Sequence, residues 1–132
     1  MNMKTKLAVI VGTIILLAVH VFWWISLALH DFAWMSMVLL WTAPFVVSFI
    51  LVRATQGKRL VQIVLLTASA SALFSTTLNA IHQGLGNASD FSGYRGALLL
   101  FCAMLVFNLA VSVVGVICGK FALTSSKSRK PK

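Results

Sequence analysis

Four apolar runs of about 20 residues each take up most of this sequence. A helix of that length spans the roughly 30 Å hydrocarbon layer of a membrane. Only 10% of the 132 residues are charged, whereas a soluble domain carries about 25%, and this difference excludes a water-soluble fold. The sequence therefore predicts an all-α integral membrane protein, an antiparallel bundle of four transmembrane helices joined by short loops. The helices are expected at about 7–29, 32–52, 60–82 and 96–119.

The basic residues predict how the chain is oriented. All Lys and Arg residues except Arg95 lie at the start of the chain, near residues 53–59, or from Lys120 onwards. By the positive-inside rule, both termini and the loop between the second and third helices are then cytoplasmic. Residues 1–120 form one transmembrane domain, and residues 121–132 form a basic cytoplasmic tail. The compact size and the short loops favour a bacterial cell inner membrane.

The net charge of +9 follows from this orientation and from attraction to the lipid bilayer. A basic residue near an anionic membrane surface contributes about 1 kcal/mol to that attraction. A nucleic-acid module would need basic residues interleaved with aromatic residues on a folded surface, a pattern that this chain lacks. We therefore expect the lipid bilayer, and no nucleic acid, as a partner.

The third apolar run carries an unusual set of polar residues. No formal charge stands between Arg59 and Asp90, yet the segment 66–84 is rich in Ser and Thr and also contains Asn and His. On a helix that turns about 100° per residue, most of these polar side chains share one face. The fourth run has a similar narrow face. The residues concerned are Thr67, Ser71, Ser75, Asn79 and His82 in the third run, and Asn108, Ser112, Gly115 and Gly119 in the fourth.

A polar face on a membrane helix has two ordinary uses. Small and hydroxylated residues let two helices approach closely and hydrogen-bond, at about 0.6 kcal/mol per polar pair. Alternatively, such residues line a water-filled path for an ion or a solute. The sequence leaves both uses open, so the polar residues are predicted to line a path or to form a helix contact. Gly115 and Gly119 are predicted helix-packing positions, and they are also the expected contact for a second copy of the chain.

The second run and the turn that follows it contain three residues with conformational or packing consequences. Pro44 removes a backbone hydrogen bond near the middle of the predicted helix, which predicts a kink there. Trp41 is also near the middle, so its indole N–H is expected to meet an internal partner or a wet cleft. Gly57 is placed where the chain reverses and a residue tolerant of positive φ is needed.

The histidines are the side chains of this sequence best suited to proton transfer or ligand binding. His20 lies within the first helix, where a neutral imidazole hydrogen-bonded to a neighbouring helix is expected. His30 and His82 fall at the outer boundary, on the same side as Asp31 and Asp90. These side chains are of the types that bind zinc, but their spacing is not a metal motif. We expect helix capping by the aspartates and no bound metal or other cofactor.

An enzymatic function is not expected, and no catalytic residues are predicted. General acid–base catalysis within the membrane needs positioned His, Glu or Asp side chains, and the chain contains no Glu. Cys102 and Cys118 stand sixteen positions apart, which is about 24 Å on one helix, so they cannot form a disulfide with each other. We expect both thiols to be buried and unreactive.

These observations favour a small transport or channel-type subunit that acts as a homo-oligomer, because one group of four helices has little interior room. The polar face of the third helix would line its path. The alternative is an intramembrane binding protein, such as an immunity protein against a membrane-active toxin or an assembly partner in a larger membrane complex. A third possibility is a holin-like lysis protein.

Overall fold

The computed structural model of the protein describes residues 2–29, 33–83 and 94–128. Almost all of these residues are helical, and each of the four helices is long and apolar enough to cross a membrane. The prediction of an all-α chain with four helices of membrane-spanning length is confirmed. The helices are α1 (Met3–Leu29), α2 (Ala33–Ala54), α3 (Leu60–Gln83) and α4 (Tyr94–Ser128).

Two helices are longer than their apolar runs predict. α1 begins at Met3, where the side-chain oxygen of Asn2 accepts a hydrogen bond from the Lys4 backbone N–H at 3.1 Å. A cap of this kind satisfies one of the free N–H groups at a helix start. α4 continues beyond the predicted end at 119 to Ser128, because the residues after the apolar run include no Pro or Gly to end it. Much of the predicted basic tail is therefore helical.

α2 and α3 form the centre of the structure. Each of them contacts the three other helices, whereas α1 and α4 do not contact each other within the described residues. α2 packs mainly against α1 and α4, and α3 packs mainly against α4. α1 and α4 therefore lie on opposite sides of the α2–α3 pair.

The turn between α2 and α3 closes with a regular helix C-terminus. The Gly57 N–H donates to the Val52 carbonyl at 2.9 Å, and the Gln56 N–H donates to the Arg53 carbonyl at 3.3 Å. This pair of bonds is the Schellman motif, in which the residue after the C-cap, here Gln56, has a left-handed backbone conformation. Gln56 has a φ of 54° and Gly57 has a φ of 76°. The expectation that Gly57 takes a positive φ is confirmed, and Gln56 shares that conformation.

α1 meets its neighbours along a narrow line of buried residues. Ala8, Gly12, Leu16 and His20 recur every four residues and are all buried. A Cβ added at Gly12 would lie 2.8 Å from Cγ1 of Val47, so α1 and α2 approach closely at this level. Close approach matters in a membrane because lipid tails are as apolar as the helix surfaces, and packing has to provide the attraction.

Gly115 and Gly119 pack against α2 of the same chain. A Cβ at Gly115 would lie 2.5 Å from the Phe45 carbonyl oxygen and 3.1 Å from Cβ of Ser48, and one at Gly119 would lie 3.1 Å from Cβ of Val52. Both glycines are thus at a helix contact within the chain. The further expectation that they meet a second copy is corrected, because α2 already occupies the face that they present.

Some side chains placed inside by the sequence analysis lie on the outward surface. Trp41 is 49% exposed, and its ring centroid lies 5.8 Å from that of Phe107, so it does not point to an internal partner. Cys102 and Cys118 are free and exposed, not buried. Apolarity alone does not distinguish the two faces of a membrane helix, because an apolar side chain is equally suited to lipid and to the interior.

α2 is helical through Pro44, and the predicted kink of the helix at this proline stays a prediction.

Candidate functional site at His20

An ionisable side chain is fully enclosed between α1 and α3. His20 lies on the buried line of α1 and has an exposed fraction of 0%. Leaving a buried polar atom without a hydrogen-bond partner costs about 1–3 kcal/mol. Both ring nitrogens of His20 have partners, one from its own helix and two from α3.

The hydrogen bonds of His20 fix the position of its proton. Nδ1 lies 2.6 Å from the Leu16 carbonyl oxygen, which only accepts, so Nδ1 carries the hydrogen and donates it. In the neutral ring Nε2 is then an acceptor. Ser75 Oγ donates to Nε2 at 2.9 Å, and Ser71 Oγ donates to the same atom at 3.3 Å. The ring of Phe74 meets the imidazole edge-on, with centroids 5.8 Å apart.

The spacing of the two serines explains why both reach one nitrogen. Ser71 and Ser75 are one turn apart on α3, so their side chains stand one above the other on the same face. Both serines are buried. They hold α3 to α1 through a single imidazole, which makes the polar face of α3 a helix contact at this level.

The sequence analysis did not pair His20 with the serines, although a signal for the pairing existed. His20 stands 17 residues after the first residue of α1, Met3, and Ser75 stands 15 residues after the first residue of α3, Leu60. Helices that start on the same side of the membrane bring such residues to a similar depth, since both rise about 1.5 Å per residue. The depth of each polar residue, counted from its helix start, would have predicted this contact.

The other predicted residues of the α3 face differ in burial. Thr67 lies one turn before Ser71 and is buried, and its Oγ1 has no hydrogen-bond partner among the described residues. Asn79 is half-buried. The side chain of His82 lies outside the described residues. The structure therefore brings Thr67, Ser71 and Ser75 into the interior and leaves Asn79 at its margin.

A second group of polar residues lies on α2 and α4. Asn108 and Ser112 of α4 are buried, and so is Ser48 of α2, which adjoins Gly115. The hydroxyls of Ser48 and Ser112 have no hydrogen-bond partner in the part of the chain that the structure describes. Polar side chains from all four helices are therefore buried, although only those on α1 and α3 are joined by the hydrogen bonds of His20.

The buried serines of α2 were not predicted from the sequence. Its signal is a repeat of four residues, because positions four apart share one face of a helix. Every position of this repeat is buried, and its serines are fully so. The repeat consists of Ser36, Leu40, Pro44, Ser48 and Val52.

The described residues contain no group of three or more His, Cys, Asp or Glu side chains that could hold a metal ion. His30, Asp31 and Asp90, which the sequence analysis placed together at the outer boundary, lie outside the described residues, so their expected proximity stays a prediction. The site that the structure does describe consists of one imidazole and hydroxyl groups.

Comparison with known protein families, curated proteins and solved structures gave no match to this chain. The function therefore rests on the chemistry of the buried polar residues. Hydroxyl groups both donate and accept hydrogen bonds, and a neutral imidazole does the same through its two nitrogens. The group at His20 is thus suited to exchange hydrogen bonds with water or with a polar solute inside an otherwise apolar protein.

Proposed function

We propose that this protein is a small transport or channel-type subunit of a bacterial inner membrane that acts as a homo-oligomer. The four helices would cross the membrane in alternating directions, with both termini in the cytoplasm. The observation that carries the proposal is the enclosed imidazole of His20, hydrogen-bonded to Ser71 and Ser75 within a chain of four membrane-length helices. Burying an ionisable side chain in a membrane helix costs free energy. Such side chains are therefore rare, and they mark ion and solute routes.

The proposed orientation is supported by the position of the basic residues. One cavity is lined both by the start of α1, including Lys4, and by the turn between α2 and α3, including Lys58 and Arg59. The basic residues of the chain start and of the central turn are therefore neighbours at one end of the structure. Such clustering on one side is what the positive-inside rule expects of the cytoplasmic end.

The unpartnered hydroxyls support a route for polar molecules through the interior. Thr67, Ser48 and Ser112 each bury a hydroxyl oxygen that has no hydrogen-bond partner among the described residues. Buried polar groups are almost always paired with protein or with ordered water. These three groups, on three different helices, are available to bind water or a solute that enters between the helices.

The route is closed in this arrangement, because His20, Ser71 and Ser75 are bonded to one another and are not exposed. We propose that it opens when α3 separates from α1 at this level. The imidazole and the hydroxyls would then exchange their mutual hydrogen bonds for bonds to water or solute. Hydrogen bonds between membrane helices contribute about 0.6 kcal/mol each on average, so this exchange has a small cost.

Flux through reconstituted protein tests the proposal. Purified protein in proteoliposomes is challenged with gradients of protons, potassium ions and glycerol. The wild type should pass at least one of these probes, and Ser71→Leu should abolish that flux because it places a bulky apolar side chain on the route. Ser69→Leu is the matched control, since Ser69 is exposed on the same helix. Equal flux in the two variants would show that no route follows this face.

A second candidate, an intramembrane binding protein, is favoured by the hydrogen bonds within the chain. The bonds from Ser71 and Ser75 to His20 make that part of the polar face a structural contact, which leaves binding to the outward surface. That surface includes the exposed rings of Trp34 and Trp41. For this candidate we expect no flux of any probe, and a membrane protein that co-purifies in mild detergent and is lost on replacing Trp34 and Trp41 with Ala.

A further inference from the structure

We propose that this protein binds one anionic phospholipid in a cleft formed by α1, α2, α3 and the turn between α2 and α3. The phosphate headgroup would occupy a basic cavity at the end of the helices, and one acyl chain would occupy an apolar groove that follows it toward the membrane centre. This site does not include His20, Ser71 or Ser75, although its groove is lined by Thr67 one turn away, so the proposal goes beyond the proposed function and its test does not use flux.

The basic cavity has the size and charge that a lipid headgroup needs. Its volume is about 300 Å³, and its lining includes the cationic side chains of Lys4, Lys58 and Arg59. The amide side chains of Asn2 and Gln56 add hydrogen-bonding groups. None of the described residues that line it carries a carboxylate. Basic pockets between membrane helices on the cytoplasmic side are a known kind of binding site for anionic lipid headgroups.

The backbone of the turn presents Arg59 to this cavity in an uncommon conformation. Arg59 has a φ of 58°, in the left-handed region that residues with side chains rarely adopt. Residues held in such conformations cluster at ligand-binding positions. A guanidinium group matches the geometry of a phosphate better than an ammonium group does, because it can donate two parallel hydrogen bonds.

The apolar groove lies along α1, α2 and α3, whereas the basic cavity lies between the chain start, the end of α2 and the turn before α3. It has a volume of about 150 Å³, and its lining is mostly apolar, with Thr13 and Thr67 as the polar residues. The basic cavity is lined by Asn2 and, on α1, by Lys4 and Thr5, and the groove is lined by α1 residues from Val9 to Leu16. The two cavities therefore follow one another along α1. The groove is further lined by Val47 and Leu51 on α2 and by Leu66, Thr67 and Ala70 on α3.

The order and the length of the two cavities match a phospholipid of one leaflet. From Lys4 to Leu16 α1 rises about 18 Å, which is close to half of the roughly 30 Å hydrocarbon core. A free phosphate ion would use the basic cavity alone. A phospholipid uses both cavities, with its charged end at the helix ends and its apolar chain inside the membrane, and this complementarity favours the lipid.

The headgroup part of the proposal is tested by native mass spectrometry of the full chain in detergent, with equal amounts of phosphatidylglycerol and phosphatidylcholine added. Phosphatidylglycerol should be retained preferentially. Lys4→Gln and Arg59→Gln should each weaken the binding of phosphatidylglycerol about fivefold, which corresponds to the contribution of one basic residue near an anionic surface.

Lys6→Gln is the matched control, because Lys6 is exposed on α1 and does not line the cavity. An equal loss in Lys6→Gln would overturn the site in favour of unspecific charge attraction.

The acyl-chain part is tested by a pair of variants on the lipid-facing side of α3. Leu66 and Leu65 are both exposed, and only Leu66 lines the groove, so neither substitution disturbs the core. Leu66→Gln should lower the fraction of protein that retains phosphatidylglycerol, whereas Leu65→Gln should not. Ala70→Leu, which fills the groove, should act like Leu66→Gln. If these variants retain phosphatidylglycerol like the wild type, the groove does not hold the acyl chain and the phospholipid proposal is wrong. Displacement of the lipid by inorganic phosphate would then show that the basic cavity recognises the phosphate group alone.

Discussion

At the scale of single residues, the hydrogen bonds of His20 explain how an ionisable side chain is kept inside this apolar chain. Its Nδ1 proton is held by a carbonyl of its own helix, and its Nε2 accepts from two hydroxyls of another helix. The imidazole therefore needs no charged partner. A single histidine and two serines provide a specific connection between α1 and α3 that apolar packing alone would not provide.

The hydrogen-bond distances predict unequal effects for the two serines. Ser75→Ala should destabilise the protein by about 1 kcal/mol, within the measured range for hydrogen bonds between membrane helices. Ser71→Ala should cost less, because its oxygen lies 3.3 Å from Nε2 and that of Ser75 lies 2.9 Å away. Unfolding by SDS in mixed micelles measures both, with exposed Ser69→Ala as the control. A double-mutant cycle with His20→Ala should give a coupling energy for Ser75 above that for Ser71, and equal couplings would contradict the geometry.

At the scale of helices, the arrangement depends on where small residues allow close approach. Gly12 lets α1 approach Val47 of α2, and Gly115 lets α4 approach the backbone of α2 at Phe45. Because lipid offers the helices no hydrophobic drive to associate, these contacts depend on close packing and on interhelical hydrogen bonds. α2 is therefore held from two sides by glycine contacts.

The two glycines of α4 should differ in their sensitivity to a methyl group. Gly115→Ala should destabilise the protein by about 1–3 kcal/mol, the usual cost of overpacking, because its Cβ would lie 2.5 Å from a backbone oxygen that cannot move independently. Gly119→Ala should cost less, since its nearest neighbour is a side-chain atom of Val52 at 3.1 Å. SDS unfolding of both variants tests this order. Ala110→Leu, on the exposed face of α4, should leave stability unchanged, and a reversed order for the glycines would refute the packing described.

At the scale of the whole molecule, the four helices divide into a central pair and two flanking helices. α2 and α3 each contact every other helix, and the described parts of α1 and α4 do not touch. The buried polar residues and the lipid cleft adjoin one another, because buried Thr67 also lines the apolar groove. The first lie where α1 meets α3 and where α2 meets α4, and the second opens where the start of α1 meets the turn before α3.

The proposed orientation predicts the sidedness of two loop-proximal positions. In a chain with Cys102 and Cys118 replaced by Ala, Lys58→Cys should react with an impermeant thiol reagent only from the cytoplasmic side. Arg95→Cys should react only from the opposite side. Labelling of intact cells and of inverted membrane vesicles distinguishes the two sides. Reaction of both positions from the same side would overturn the proposed crossing of the membrane.

The sequence determined the number of helices and their membrane-spanning length, because the thickness of a bilayer sets the length of an apolar helix and leaves backbone groups no partners outside it. It also indicated which residues of the third and fourth helices are polar and small, and most of these are buried. Only the tertiary structure decided their partners. His20 meets Ser71 and Ser75, Gly115 meets α2 and not another copy, and Trp41 faces outward. In a chain apolar on every side, apolarity does not identify the interior, so packing shape and hydrogen bonds between distant residues decide which faces meet.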